Sequence, residues 1–95
     1  MTKIFTKFDG DDEVTPLWHY DYLTYCNEIR QTVDDQWDEL GGGKATPQQI
    51  RDYINAEWKP AIVQDLDADI PDWMWKEYVD DIIKEVENVL NRNCD

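Results

Sequence analysis

The stretch Trp75-Lys-Glu-Tyr-Val-Asp-Asp-Ile-Ile-Lys-Glu-Val-Glu-Asn-Val-Leu90 decides the fold class of this chain. Its apolar residues recur at steps of three and four, which is the spacing of one face of an α-helix. The preceding Ile70-Pro71-Asp72 is a helix-start signal, so we predict a helix over 70–91. Its core stripe is predicted to contain Trp75, Val79, Ile82, Ile83, Val86, Val89 and Leu90.

Two further helices are predicted upstream. Thr15-Pro16 offers a Thr N-cap with Pro at the first helical position, and Gly41-Gly42-Gly43 is a stop signal, which predicts a helix over 16–40. Thr46-Pro47 repeats the start signal and predicts a helix over 47–66, kinked near Lys59 because Pro60 lacks a backbone donor. The core stripe of the first helix is predicted to contain Trp18, Tyr22, Tyr25, Cys26, Ile29, Val33, Trp37 and Leu40.

The N-terminal residues 1–14 are predicted to form a short arm. Residues 2–8 favour a strand, and Asp9-Gly10-Asp11-Asp12 ends it. A single strand cannot form a sheet alone, so the arm either lies on the helices or pairs with a second copy in a homodimer. The expected fold is therefore one domain over 1–95, an all-α bundle of three or four helices with an N-terminal extended arm or strand.

The composition is strongly acidic, with 22 Asp and Glu against nine Lys and Arg and a formal net charge of -13. Hydrophobic residues make up 41% of the chain, which is too high for a disordered acidic tail. An acidic surface repels nucleic acid and anionic membranes and attracts basic proteins, so the expected partner is a basic protein. A second interpretation is that the acidity only keeps the protein in solution.

Targeting signals are not evident. The segment Met1-Thr-Lys-Ile-Phe-Thr-Lys has no apolar signal-peptide region, and Cys26 and Cys94 are the only cysteines. No apolar run approaches the roughly 20 residues of a membrane span. We expect a cytoplasmic protein with Cys26 buried and inert, because it falls on the core stripe of the first helix.

Motifs for chemistry are incomplete. Gly41-Gly-Gly-Lys44-Ala-Thr46 lacks the first Gly and the Ser or Thr of a phosphate loop. Asp65, Asp67 and Asp69 have calcium-loop spacing, but Ile70 and Lys76 stand where Gly and Glu are required, and the series from Asp9 fails in the same way. His19 is the only histidine, which leaves zinc and acid–base catalysis without ligands or partners. We expect no enzyme activity, metal or cofactor.

Carboxylates instead follow the outer faces of two helices. They recur with few bases between them, and several lie four residues apart, where like charges destabilise a helix. A helix over 16–40 would be about 37 Å long, and duplex DNA of that length carries about 22 phosphates. We therefore expect these side chains to contact the partner: Asp21, Glu28, Asp34, Asp35, Asp38, Glu39, Glu77, Asp80, Asp81 and Glu85.

The acidic helix over 75–90 resembles the long acidic helices of phage-encoded DNA-mimic inhibitors of the antirestriction and anti-CRISPR type. The resemblance covers the charge and helix pattern and includes no short motif. It implies a stoichiometric inhibitor in the host cytoplasm that occupies the DNA site of a nuclease or a restriction or CRISPR complex. The alternative is an acidic binding module with a specific interface, such as a nuclease immunity protein or a regulatory subunit.

The abundance of Trp distinguishes this chain from that class and indicates an apolar contact as well. Trp73 and Met74 fall on the side of the last helix away from its core stripe, where an exposed Trp is a common binding hot spot. The competing interpretation is that both side chains pack on the arm or staple the start of the helix.

Overall fold

The computed structural model describes residues 5–7, 14–19 and 21–92, and these are mostly helical, as the sequence predicted. Two short strands, β1 (Phe5–Lys7) and β2 (Val14–Pro16), precede a 3-10 turn (Leu17–His19). The helices are α1 (Tyr22–Asp35), α2 (Pro47–Tyr53), α3 (Lys59–Leu66) and α4 (Asp72–Arg92). A π-helical turn (Ile54–Trp58) joins α2 to α3.

Pairing within the chain changes the expected start of the first helix. β1 and β2 are antiparallel, with Phe5 opposite Pro16, so the Thr15-Pro16 signal lies in a strand. The prediction of a helix start at Pro16 is therefore wrong. The helix begins at Tyr22, and its N-cap is Asp21, whose carboxylate accepts from the backbone N–H of Thr24 at 3.1 Å.

Helix α1 ends at Asp35, earlier than the predicted end at residue 40, and the glycines close the turn that follows. After Asp35 the chain makes a turn, and Gly41 and Gly42 donate to the carbonyls of Asp38 and Trp37 at 3.1 and 2.9 Å. This is the bonding pattern of a Schellman motif, and Gly41 has the required positive φ of 102°. The regular helix of 14 residues is about 21 Å long, not about 37 Å, so the expected match in length to 22 phosphates fails.

The second helical segment begins as predicted. The side chain of Thr46 accepts from the N–H of Gln49 at 3.2 Å, and the side chain of Gln49 accepts from the N–H of Thr46 at 2.9 Å. At the predicted kink the helix widens instead of stopping. Lys59 donates its N–H to the carbonyl of Ile54, five residues back, so a π-helical turn stands directly before Pro60, which has no N–H.

Helix α4 carries the centre of the core. Tyr25, Ile29 and Val33 of α1 are buried with it, as are Ile50 and Ile54 from the second helical segment. Phe5 covers the end of the core, with its ring 6.1 Å from Trp75 and 5.5 Å from Tyr78. The buried residues of α4 are Met74, Trp75, Tyr78, Val79, Ile82, Ile83 and Val86.

Contacts along α4 give the helix directions. Tyr25 reaches Asp81, and a Cβ at Gly43 would lie 2.9 Å from the Leu90 side chain, so α1 runs in the same direction as α4. Arg51 pairs with Asp80, Asn55 with Trp75 and Lys59 with Asp72, so the segment from α2 to α3 runs in the opposite direction. The C-terminal end of α1 therefore lies near the C-terminal end of α4.

Tyr22 and Met74 do not lie where the sequence placed them, since Tyr22 was expected in the core and Met74 on the surface. Tyr22 is 65% exposed, because it begins α1 and the Trp18 ring packs edge-on against Tyr25 at 5.3 Å. Met74 is only 3% exposed, so its expected outward position is wrong. The arc of α4 covered by its neighbours is wider than the single stripe that the periodicity defined, and Met74 and Tyr78 fall inside it.

Candidate partner-binding surface

Four exposed carboxylates gather where α1 finishes. Asp34 and Asp35 are in its last turn, and Asp38 and Glu39 are in the turn that follows. The Schellman motif holds this turn against the core, because Leu40 just before the glycines is buried. These four residues, Asp34, Asp35, Asp38 and Glu39, are called the acidic end of α1 below.

The acidic end is placed against the helix dipole. The last turn of a helix carries partial negative charge, which favours a base, and the last turn of α1 contains none. Within the described residues, neither Arg30 nor Lys44 makes an ion pair with any of these carboxylates. Glu39 has one polar partner, the Tyr53 hydroxyl, which donates to it at 3.0 Å. The arrangement concentrates negative potential at one end of the molecule.

Most of the α4 carboxylates that were expected to contact the partner have polar partners within the chain. Asp80 pairs with Arg51 at 2.8 Å, and Glu85 pairs with Arg92 at 3.1 Å. Asp81 is half-buried and accepts from the Tyr25 hydroxyl at 2.5 Å. Glu77 is exposed and has no ion pair or side-chain hydrogen bond among the described residues. Of the four carboxylates expected on this helix, Glu77 alone is uncommitted to an internal contact.

The remaining expected carboxylates of α1 are also divided. Asp21 caps the helix, and hydrogen bonds from the Thr24 side chain and backbone lower its pKa. Glu28 is half-buried on the flank of α1. The sequence predicted that all these acids contact the partner, whereas the structure separates the helix cap and the acids with internal partners from the acidic end.

Tyr25 on α1 and Tyr78 on α4 are both buried and uncharged. Burial, followed by the hydrogen bond and charge of Asp81, raises the pKa of Tyr25 far above its ordinary value. Burial alone raises the pKa of Tyr78. Tyr25 therefore acts as a hydrogen-bond donor that fixes α1 to α4, and it shows no sign of acid–base use.

Exposed large apolar side chains occur at three described positions. Trp73 is 59% exposed on the outer side of α4, which agrees with the exposed one of the two interpretations of this residue. Tyr22 and Leu23, at 65% and 76% exposed, are consecutive at the start of α1. Sequence reasoning missed both, because Tyr22 matched the core stripe and a single outward Leu has no periodic signal.

Sites for metals or phosphates are not seen in the described part of the chain. Residues 21–92 contain no group of three or more His, Cys, Asp or Glu side chains placed to hold a metal ion. Gly41, Gly42 and Gly43 all have positive φ and form the helix stop. Cys26 is a half-buried free thiol and not the fully buried residue expected. Residues 8–13, with the acidic series from Asp9, and Cys94 lie outside the described residues.

None of the helices described is long and apolar enough to cross a membrane. Comparison with known proteins found no matching family model, no matching curated protein and no matching solved structure.

Proposed function

We propose that this protein is a stoichiometric inhibitor that occupies the nucleic-acid-binding site of a basic partner, with carboxylates in the place of phosphates. The observation that carries the proposal is the acidic end of α1. Four exposed carboxylates stand in the last turn of α1 and the turn after it, and none of them has an ion pair among the described residues. A surface of this kind attracts cationic grooves and raises association rates at low salt.

The overall charge density supports a nucleic-acid-like field. The molecule measures 49 × 27 × 21 Å. A single nucleic-acid strand of 49 Å carries about 14 phosphates, and a duplex of that length carries about 29. The formal net charge of -13 is close to the single-strand value and under half of the duplex value. The charge of the whole chain is therefore comparable in size to that of one nucleic-acid strand of the same length.

The energetic cost of the acidic end also supports a role in binding. Asp34 and Asp35 in the last turn of α1 are followed closely by Asp38 and Glu39, so four like charges repel one another in a short segment. Acids near a helix C-terminus cost about 0.3–1 kcal/mol each at low ionic strength. Solubility alone is served equally well by acids placed at helix N-termini, where they stabilise the fold.

The resemblance to phage DNA-mimic inhibitors gives the proposal its biological form. In that form, the chain acts in the cytoplasm of a host cell as a counter-defence factor. Its partner is a nuclease or a restriction or CRISPR complex, and binding blocks access of DNA or RNA to that partner. The helices act as a rigid bundle that holds the carboxylates at fixed spacing, with the N-terminal arm against one end of the core.

A second candidate function is a specific protein-binding module, such as a nuclease immunity protein or regulatory subunit. The exposure of Tyr22, Leu23 and Trp73 favours it, because large apolar side chains are frequent hot spots of protein interfaces. The two candidate functions differ in whether nucleic acid competes with this protein for the partner. A mimic is displaced by nucleic acid, whereas a module with an independent interface is not.

The test is a pull-down with the tagged protein from a bacterial lysate at about 50 mM and about 500 mM salt, with bound proteins identified by mass spectrometry. Parallel samples receive duplex DNA or single-stranded DNA as competitor. Capture of a nucleic-acid-binding protein at low salt, with displacement by either competitor, is the expected result. Capture that survives high salt and ignores both nucleic acids contradicts mimicry and favours the second candidate.

A pair of charge-matched variants then tests the position of the site. The first neutralises the acidic end with Asp34→Asn, Asp35→Asn, Asp38→Asn and Glu39→Gln. The control removes the same charge from exposed positions elsewhere, with Glu57→Gln, Asp65→Asn, Asp69→Asn and Glu87→Gln. We expect the first variant to lose capture at low salt and the control to retain most of it. Equal losses would assign the binding to net charge alone.

A further inference from the structure

The outward face of α1 is divided into two halves of different chemistry. Its N-terminal half carries no carboxylate at the exposed outward positions, which are occupied by Leu23, Thr24, Asn27, Arg30 and Gln31. Its C-terminal half leads directly into the acidic end of α1. In a chain with a net charge of -13, a stretch without exposed carboxylates, whose one charged side chain is Arg30, is a distinct surface next to four acids.

Leu23 is the most exposed large apolar residue of the described chain. It lies outside the core and outside the group of side chains packed against the core, and Tyr22 beside it is also exposed. The Leu23 side chain is not part of the cap or the core contacts of α1. The cap is Asp21, and the buried side chains are Tyr25, Ile29 and Val33. The side chain is available to a partner.

We propose that α1 docks along this face into a groove of a basic protein, with Leu23 in an apolar pocket and the acidic end against cationic side chains. The inference rests on the proposed function and adds the orientation of the complex. Charge complementarity selects the occupant, because the acidic end requires a cationic surface. Leu23 and Asp34 are about 16 Å apart along the helix axis, which sets the spacing of the two subsites on the partner.

A second copy of this chain does not fit the same face. Each copy brings a net charge of -13, and two acidic ends near one interface would repel each other. The exposed apolar contribution of Tyr22 and Leu23 is small beside the roughly 800 Å² per partner that a stable dimer buries. A cationic partner attracts the acidic end instead of repelling it, and a groove can bury more of α1 than Tyr22 and Leu23 alone.

The test measures the affinity of the protein captured in the pull-down above, after purification, for the wild-type chain and for two variants. Leu23→Ser should weaken binding about tenfold or more at both about 50 mM and about 500 mM salt, since it removes an apolar contact. The double variant Asp34→Asn/Asp38→Asn should weaken binding at low salt and have much less effect at high salt. Gln64→Ala, at an exposed position on α3, is the control and should leave affinity unchanged.

A photo-crosslinking side chain at position 27 gives a second readout. Cross-linking to the partner from position 27, and not from position 64, places the groove over α1. The docking inference fails, and the proposed function stands, if DNA displaces the partner but Leu23→Ser binds normally and position 27 does not cross-link. The proposed function fails, and the docking inference stands, if Leu23→Ser abolishes a capture that DNA does not displace. Failure to capture any protein overturns both, and a dimer in sedimentation that Leu23→Ser dissociates overturns the choice of partner.

Discussion

Neutralising two acids at the end of α1 should make the protein more stable. Asp34 and Asp35 are exposed in the last turn of that helix, which contains no base, and neither has an ion pair among the described residues. Each acid opposes the helix dipole by about 0.3–1 kcal/mol, and Asp38 and Glu39 in the turn that follows add further repulsion. We expect Asp34→Asn/Asp35→Asn to raise the free energy of unfolding by about 1 kcal/mol at low ionic strength. The corresponding rise in Tm is about 4–8 °C.

Salt dependence isolates the electrostatic cause. The Debye length falls from about 10 Å at 0.1 M salt to about 3 Å at 1 M, so the gain should shrink to less than half at the higher salt. Urea unfolding followed by tryptophan fluorescence at both salt concentrations measures it. The control Glu57→Gln/Glu77→Gln removes the same charge from exposed positions inside helical segments, away from their C-terminal ends, and should give a smaller gain. The reasoning is refuted if the two double variants are equally stable, or if the gain persists unchanged at high salt.

Four further substitutions test the packing and one helix cap, each by urea unfolding. Met74→Ala should cost about 2–5 kcal/mol because the side chain is buried, and Trp73→Ala under about 1 kcal/mol, so equal costs would contradict the assigned faces. Tyr25→Phe should cost about 1.5–3 kcal/mol by leaving the half-buried Asp81 carboxylate without its donor. Because the pKa of Tyr25 is raised in the folded state, stability should also fall as pH rises above about 10 in the wild type, less steeply in Tyr25→Phe. Thr46→Ala should cost about 1 kcal/mol by removing the capping box, with no change in its salt dependence.

Local signals explain why much of the helical structure was predictable. The capping box at Thr46 and the glycine stop after Leu40 act through hydrogen bonds between residues a few positions apart. The start signal at Thr15-Pro16 failed because such signals describe only what a local segment can form. Pairing of β2 with β1 places those residues in a strand instead of a helix.

The candidate surface was predictable in composition and not in detail. Periodicity gives the angle of a residue around its helix, so it placed Trp73 and the outer carboxylates on the outward side. It does not give the number of neighbours that surround a helix, and for that reason Met74 was misplaced. It also could not show that Asp80, Asp81 and Glu85 have partners on or near α4, because those contacts depend on where Arg51, Tyr25 and Arg92 lie.

The sequence by itself determined that the protein is mostly helical, that its composition is strongly acidic and that glycines reverse the chain after the first helix. These properties follow from composition, from a repeat of three and four residues and from backbone conformations that only certain residues adopt. The tertiary structure alone decided which acids form ion pairs or hydrogen bonds within the chain and which remain exposed at the end of α1. That choice depends on side chains distant in sequence coming within hydrogen-bonding distance, which no local pattern encodes.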